Sequence, residues 1–293
     1  MDPSSGNPAG LIGLLFMGGT PIMKFFKRVL CLMLAILMTG LIMAGTTPAQ
    51  AVGNSVDMGD VIQLGDWEAP SLHIVFYPKA LESSDQTWPV IVWANGTCCA
   101  PILYTGLLKG LAAKGFVVIT NSDVMAANGT SQRGELDYIL AENERPGSVF
   151  YGKIDPSRLA AVGHSQGGRS VVNACADDPR FGCAVSIAGS PYTKEAKRLS
   201  TPTLFLTGSS DLVVLSSLWV KPAYKNCKGP AVYASLKGGV HTSCILNPEK
   251  YIDLIALWIN GWFGNSAALQ YFYPGGGFPR NSTWKDYASK NLP

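Results

Sequence analysis

Charged side chains are few in this chain. Asp, Glu, Lys and Arg make up only 15% of its 293 residues, which is a low fraction for a cytosolic enzyme. The 23 basic residues barely outnumber the 20 acidic ones, whereas a protein that binds nucleic acid carries a clear basic excess. We therefore expect no nucleic acid among its partners.

Internal repeats, long linkers and low-complexity tracts are missing as well, so nothing in the sequence divides it into several domains. Strand-like and helical runs alternate instead. Strands are predicted near 61–65, 72–77, 90–94, 116–120, 159–163, 183–187, 203–207 and 231–236, and helices near 102–114, 131–144, 166–176, 215–224 and 248–261. This alternation predicts parallel strands joined by crossover helices, in a single α/β domain over residues 52–293.

Histidine is also rare. The chain has three, which are His73, His164 and His241. No combination of cysteine and histidine has a spacing typical of a zinc site, and we expect neither a metal ion nor a cofactor. A catalytic histidine, if the protein is an enzyme that needs one, must be one of these three residues.

The most informative motif is Gly-His-Ser-Gln-Gly at residues 163–167. A strand-like run at 158–162 precedes it, and a helical pattern begins at Gly168. A serine in G-x-S-x-G on a sharp strand-to-helix turn is exposed at the top of an α/β-hydrolase sheet, where it acts as a nucleophile. The alternative is an ordinary capping serine on a glycine-rich turn. The context favours Ser165 as a nucleophile.

A serine nucleophile needs a base, and the base needs a third group that orients it. In α/β-hydrolases the chain order is serine, acid, histidine. Only His241 follows Ser165, in a glycine-rich loop after the predicted strand 231–236. Asp211 follows the predicted strand 203–207, so it is our candidate acid. The alternative for Asp211 is a helix N-cap, and one carboxylate can serve both roles.

Acyl transfer also requires donors for the developing oxyanion. The backbone N–H of Gln166, directly after the nucleophile, is one expected donor. The other is expected from the loop after the early strand 90–94, where we choose the N–H of Thr97. The alternative for this loop is an ordinary β-turn built on Asn95 and Gly96.

With these residues the chain resembles the bacterial cutinase-like polyester hydrolases, the group that includes PET-degrading enzymes. It is more distantly similar to chlorophyllases and dienelactone hydrolases. The blocks that carry the likeness are 111–120, 151–158, 201–211, 238–241 and 281–287, so the likeness runs from about residue 60 to the C-terminus. The resemblance implies an α/β-hydrolase fold with a mostly parallel central sheet flanked by helices and no large lid.

The resemblance also implies residues that contact the substrate, and here the chain departs from the family. Tyr192 aligns with the family's subsite tryptophan, and the resemblance makes it, Val213 and His164 candidates for substrate binding. The family's oxyanion loop usually carries an aromatic residue where this chain has Thr97, and methionine is usual where it has Gln166. Without the aromatic clamp, ester hydrolysis is retained but a preference for aromatic polyesters is not expected.

The N-terminus has the pattern of a signal peptide over residues 23–51. Basic residues near Lys24 precede an apolar run at 29–44, and Ala49-Gln50-Ala51 is an A-x-A cleavage site. The alternative is a membrane anchor, but threonine, glycine and proline interrupt the apolar run. Residues 1–22 are expected to be an upstream extension. We therefore expect a secreted or periplasmic protein without a membrane span after cleavage.

Seven cysteines are present, and Cys31 lies within the predicted signal peptide. An even number in the exported part suggests disulfides, although six cysteines allow fifteen pairings. We expect Cys227 to pair with Cys244, since they flank the strand before His241. Cys175 and Cys183 are the second expected pair. The pairing of the adjacent Cys98 and Cys99 stays open.

The sequence thus predicts a serine carboxylic-ester hydrolase that forms an acyl-enzyme, works as a monomer and acts on esters that include polymers. A lipase or a small-ester esterase of the same fold is the nearest alternative. A peptidase or amidase would favour additional domains for which the chain has no room. A non-catalytic binding protein would be expected to have a broken triad, whereas here all three residues are present.

Overall fold

The computed structural model describes residues 60–65, 73–189 and 193–293. In these residues nine strands form one sheet in the order β1-β2-β4-β3-β5-β6-β7-β8-β9. The strands are β1 Val61–Leu64, β2 Ile74–Pro78, β3 Trp88–Ala94, β4 Val117–Thr120, β5 Ile154–His164, β6 Cys183–Ile187, β7 Thr203–Gly208, β8 Ala231–Leu236 and β9 Trp284–Lys290. The six strands from β4 to β8 along this order are parallel, while β1, β2 and β9 join antiparallel at the edges.

Helices follow most of the central strands. They are α1 Ala80–Ser83, α2 Thr105–Ala113, α3 Thr130–Glu144, α4 Gln166–Asp177, α5 Thr193–Ala196, α6 Val220–Asn226, α7 Ser243–Leu246, α8 Glu249–Trp262 and α9 Ser266–Gln270, with 3-10 turns at Pro101–Tyr104 and Phe278–Arg280. Helix α3 packs beside α4, and α2 packs beside α8. The predicted architecture of a mostly parallel sheet flanked by helices is confirmed.

The central strands are apolar at consecutive positions rather than at alternate ones. Residues 90–94 of β3 and 159–162 of β5 are all buried. Consecutive burial is expected where helices cover both faces of a parallel sheet. This is why the six parallel strands could be found from short apolar runs.

Two elements differ from the prediction. The ninth strand, Trp284–Lys290, was missed because its sequence contains no apolar run, and only its first residue is buried. It pairs with β8 at the sheet edge, where the backbone hydrogen bonds need no apolar pattern. The helix predicted at 215–224 begins only at Val220, and residues 212–219 form a loop instead.

The predicted disulfide between Cys227 and Cys244 is wrong, because both residues are buried free thiols. Cys227 precedes β8 and Cys244 follows it, so they lie at opposite ends of a six-residue strand. Six residues of strand span about 20 Å, whereas the Cα atoms of a disulfide lie at most about 7 Å apart. The sequence placed them on either side of the strand without revealing this separation.

The predicted disulfide between Cys175 and Cys183 is also absent from the described residues. Both are buried free thiols, one in the last turn of α4 and one at the start of β6. Burial raises the pKa of both thiols far above the ordinary value, which disfavours the thiolate that thiol oxidation requires.

The described residues belong to one compact unit. The predicted signal peptide at 23–51 and the upstream extension at 1–22 lie outside the described residues. Within the described ranges, no helix combines the length and apolar character that crossing a membrane requires.

The topology brings four loops to one edge of the sheet. These loops follow the carboxyl ends of β3, β5, β7 and β8, and they carry Asn95, Ser165, Asp211 and His241 respectively. In open α/β sheets this edge is where ligands bind. The residues selected from the sequence therefore meet at the expected edge.

Candidate active site

Ser165 occupies a strained turn between β5 and α4. Its backbone has φ 58° and ψ −119°, a conformation that residues other than glycine rarely adopt. The flanking glycines permit this turn, because a Cβ on Gly167 would overlap the carbonyl group of Ala94 and one on Gly163 would overlap the carbonyl of Gly167. The turn presents the serine hydroxyl at the end of the strand, as the motif predicts.

Ser165, His241 and Asp211 form a hydrogen-bonded triad. The Oγ of Ser165 lies 2.9 Å from Nε2 of His241, and Nδ1 of His241 lies 2.8 Å from Oδ2 of Asp211. Because an ionised carboxylate only accepts hydrogen bonds, Nδ1 carries the proton and Nε2 can accept from the serine hydroxyl. This arrangement provides a nucleophile, a base and a group that orients the base.

The Asp211 carboxylate is held on both sides. Its Oδ1 accepts hydrogen bonds from the N–H groups of Val213 at 2.9 Å and Val214 at 2.8 Å, while Oδ2 faces His241. Burial by itself raises the pKa of Asp211. The hydrogen bond and charge of His241 together with the two backbone donors outweigh burial, so the net pKa is lowered. Asp211 thus caps its own loop and orients His241 at once.

The loop after β3 is fixed from several directions. The side-chain amide of Asn95 donates to the carbonyl oxygens of Asn121 at 2.7 Å and Asp123 at 3.1 Å. The N–H of Cys98 donates to the carbonyl of Val124 at 3.1 Å. A Cβ on Gly96 would lie 3.3 Å from Cβ of Ser165, which places this loop directly against the serine.

Two backbone N–H groups, one next to Gly96 and one next to Ser165, have no backbone acceptor in the described residues. Among the described residues, neither the N–H of Thr97 nor that of Gln166 donates to a backbone carbonyl. Gln166 is the first residue of α4, so its N–H has no partner within the helix. These are the two donors predicted for the oxyanion.

His164 does not lie where the sequence analysis placed it. It was a candidate for substrate contact, but it is 0% exposed and beneath the surface of the site. Its ring bonds to the hydroxyl of Tyr104 at 2.9 Å and to the carbonyl oxygen of His241 at 2.8 Å. Burial and, to a smaller extent, the charge of His241 lower the pKa of His164 to about 3. The prediction of substrate contact is therefore wrong for this residue.

The remaining substrate-contact candidates have different outcomes. Val213 is 49% exposed on the loop that carries Asp211, so its side chain is accessible to a ligand. Tyr192 lies outside the described residues. His73, the third histidine, has other partners than the triad. Its Nδ1 lies 3.0 Å from both carboxylate oxygens of Glu135, and its ring stacks on Tyr138.

Exposed apolar side chains concentrate on the loops that carry Asp211 and His241. We call the following six residues the apolar rim: Leu212, Val213, Leu215, Leu218, Val240 and Leu246. They are six of the ten large hydrophobic residues that are exposed in the described part of the chain. Of these six residues only Val213 was a candidate from the sequence, and Leu215 and Leu218 had been assigned to a helix.

The chain is similar to known ester hydrolases. A family model described as PET hydrolase-like matches residues 72–278. The chain is 26% identical over 174 residues to Cutinase est2 of Thermobifida alba, covering 57% of this chain and 56% of that protein. It is 25% identical over 205 residues to a bis(hydroxyethyl) terephthalate hydrolase of Streptomyces coelicolor, covering 68% and 64%.

A third relative is Cutinase 1 of Thermobifida cellulosilytica, which is 24% identical over 210 residues that cover 69% of this chain and 77% of that protein. The chain spans less than two thirds of the length of the first two relatives. The region shared with the family model contains the whole hydrogen-bonded triad.

Proposed function

The chain belongs to the PET hydrolase-like family of α/β-hydrolases, and from this we propose that it is a serine carboxylic-ester hydrolase whose triad is Ser165, His241 and Asp211. The observation that carries the proposal is the continuous pair of hydrogen bonds, 2.9 Å and 2.8 Å long, from the serine through the histidine to the aspartate. A capping serine or a surface histidine would have no reason to be arranged in this way.

In the first half of the reaction, Ser165 Oγ attacks the ester carbonyl carbon while Nε2 of His241 takes the hydroxyl proton. The buried Asp211 carboxylate stabilises the imidazolium that forms. The N–H groups of Thr97 and Gln166 donate to the oxyanion of the tetrahedral intermediate. The intermediate collapses when the imidazolium returns its proton to the leaving alcohol, which leaves an acyl group on Ser165.

In the second half, water replaces the alcohol. His241 removes a proton from the water as it attacks the acyl carbon, and the same two N–H groups stabilise the second oxyanion. Collapse breaks the bond to Ser165 Oγ, which recovers its proton from His241. The products are one carboxylic acid and one alcohol per ester bond, and no cofactor takes part.

We further propose that the substrates include polyesters and that the protein acts outside the cytoplasm as a monomer. The names of its relatives and the apolar rim support an extended apolar ester, and the signal-peptide pattern supports export. Hydrolysis of aliphatic and aromatic polyester films tests the substrate class. Cell fractionation with N-terminal sequencing tests export, for which we expect a mature chain that begins at Val52. Sedimentation tests the monomer.

The decisive experiment measures p-nitrophenyl butyrate hydrolysis by the wild type, Ser165→Ala and the control Ser157→Ala. Ser157 is an exposed serine on the same strand, β5. Loss of a triad nucleophile costs up to about a million-fold in kcat, whereas the control should match the wild type. A phosphonylating reagent should label Ser165 alone. A folded Ser165→Ala protein that keeps more than a few per cent of activity would disprove the proposal.

A further inference from the structure

A buried chain of hydrogen bonds connects the oxyanion loop to the catalytic histidine. The N–H of Gly96 donates to the hydroxyl oxygen of Tyr104 at 3.1 Å. That hydroxyl lies 2.9 Å from Nδ1 of His164, and Nε2 of His164 lies 2.8 Å from the carbonyl oxygen of His241. Both side chains are 0% exposed, so water does not compete for these bonds.

The proton positions in this chain follow from the partners. A carbonyl oxygen can only accept, so Nε2 of His164 must carry the hydrogen that reaches His241. Since the neutral ring carries a single N–H, Nδ1 is an acceptor, and Tyr104 must donate its hydroxyl hydrogen to it. The phenolic oxygen of Tyr104 is then left to accept from the N–H of Gly96 and from the thiol of Cys99, which also bonds to this hydroxyl. The donor and the acceptor of each hydrogen bond in this chain are therefore assigned.

Charge supports this assignment. The rings of His164 and His241 have centroids 4.8 Å apart. Burial keeps His164 neutral by lowering its pKa to about 3, so it adds no positive charge beside the imidazolium that forms on His241 during catalysis. A protonated His164 would repel that imidazolium and would also lose its acceptor for Tyr104.

We propose that Tyr104 and His164 are positioning residues that hold the backbone of His241 in register with the oxyanion loop. This inference rests on the proposed function. The triad residues and the oxyanion donors follow four different strands, and their relative placement must hold to well below 1 Å for catalysis. The chain of hydrogen bonds joins the loops after β3 and β8 directly through the end of β5.

Gly96 fits this role by its lack of a side chain. A Cβ there would lie 2.8 Å from the Tyr104 hydroxyl and 3.2 Å from Nδ1 of His164. The loop can approach the Tyr104–His164 pair only because position 96 is glycine. The close approach places Gly96, the residue before Thr97, against Ser165.

The alternative is that Tyr104 is simply a core aromatic residue, since its ring packs on Trp93 with centroids 4.9 Å apart. Tyr104→Phe separates the two roles because it keeps the ring and removes the hydroxyl. For His164 the informative pair is His164→Gln and His164→Leu. A glutamine amide nitrogen can occupy the place of Nε2 and donate to His241, whereas leucine cannot. Ser170→Ala is the matched control. It also removes one buried hydrogen bond, from Ser170 of α4 to Gln132 of α3, but this bond lies outside the chain from Gly96 to His241.

The experiment measures kcat and KM for p-nitrophenyl butyrate per active serine, with active serines counted by phosphonylation. We expect Tyr104→Phe and His164→Leu to lower kcat by about tenfold to a hundredfold, because a misplacement near 1 Å costs about that much. KM should stay within about twofold. His164→Gln should recover much of the loss. In the double variant Tyr104→Phe/His164→Leu the loss should not exceed that of His164→Leu alone, because residues in one network are not additive. Ser170→Ala should keep the wild-type kcat.

Wild-type kcat per active serine in Tyr104→Phe would overturn the inference, and this variant remains informative even if His164→Leu does not fold. Equal losses in His164→Gln and His164→Leu would also overturn it, because the donor to His241 would then be irrelevant. Neither result touches the proposed function. That function fails separately if Ser165→Ala stays active or if phosphonylation labels a different residue.

Discussion

Asp211 and Leu212 are neighbours in sequence with opposite environments: Asp211 is 5% exposed and Leu212 is 87% exposed. The loop buries the carboxylate against His241 and turns the next side chain into solvent. An isolated exposed leucine is unremarkable in a soluble protein. Five exposed apolar residues on the two loops that carry Asp211 and His241, together with Leu246 of α7, form an exposed apolar surface of the kind that marks binding sites.

We predict that Leu212→Ser/Leu218→Ser weakens activity on an insoluble polyester film but not on soluble p-nitrophenyl acetate. Burying half of each leucine side chain against the film contributes roughly 1 kcal/mol, which is about fivefold in binding per leucine and about 25-fold for the pair. Film adsorption isotherms and product release measure the effect. The control is Tyr151→Ser, because Tyr151 is exposed but precedes β5 at the opposite end of the sheet. An equal effect of the control would contradict a role for the rim.

Thr97→Tyr should increase hydrolysis of an aromatic polyester relative to p-nitrophenyl butyrate. An aromatic ring at this position offers a stacking surface of roughly 1 kcal/mol, or about fivefold in rate. The oxyanion donor at position 97 is the backbone N–H, which the substitution keeps. Thr97→Val is the control, since it changes the side chain without adding a ring. A ratio of the two rates that does not change in Thr97→Tyr would show that Thr97 does not line the acyl or alcohol site.

His164 should make the fold sensitive to acid. Its pKa is about 3 in the folded protein and about 6.5 when unfolded, so the unfolded chain binds one more proton between these values. The stabilisation is complete above pH 6.5 and is lost as the pH falls towards 3. The groups that face the ring are His241, Tyr104 and Asp211.

Urea unfolding of the wild type and His164→Gln at pH 7 and pH 5 measures this effect. One proton corresponds to about 1.4 kcal/mol per pH unit, so the wild type should lose about 2 kcal/mol more than the variant over this interval. Other histidines contribute equally to both proteins and cancel. Parallel pH dependences in the two proteins would mean that His164 is not held neutral.

Four buried cysteines should behave as unreactive thiols: Cys175, Cys183, Cys227 and Cys244. Burial raises the pKa of each, and the thiolate is the reactive form. We expect a thiol reagent to modify them only after denaturation in guanidinium. Peptide mapping without reduction should recover all four as thiols, and a linked 227–244 or 175–183 peptide would contradict the structure.

Local sequence patterns were sufficient to predict the three residues of the triad. The G-x-S-x-G motif, the chain order of its partners and the position of each residue after an apolar strand could be read along the chain. They led to Ser165, Asp211 and His241, which the fold brings within hydrogen-bond distance. Parallel strands put their carboxyl ends on one edge of the sheet, so a sequence position after a strand translates directly into a place in space.

Features that depend on the separation of elements could be decided only by the tertiary structure. Cys227 and Cys244 flank one strand in the sequence, yet the length of that strand separates them. His164 adjoins the nucleophile, but the turn at Ser165 directs the two side chains apart and buries the histidine under His241. Residues 215–219 were predicted as the start of a helix, although they belong to a largely exposed loop. Sequence neighbours share a backbone but not an environment, and burial depends on which other elements pack against each residue.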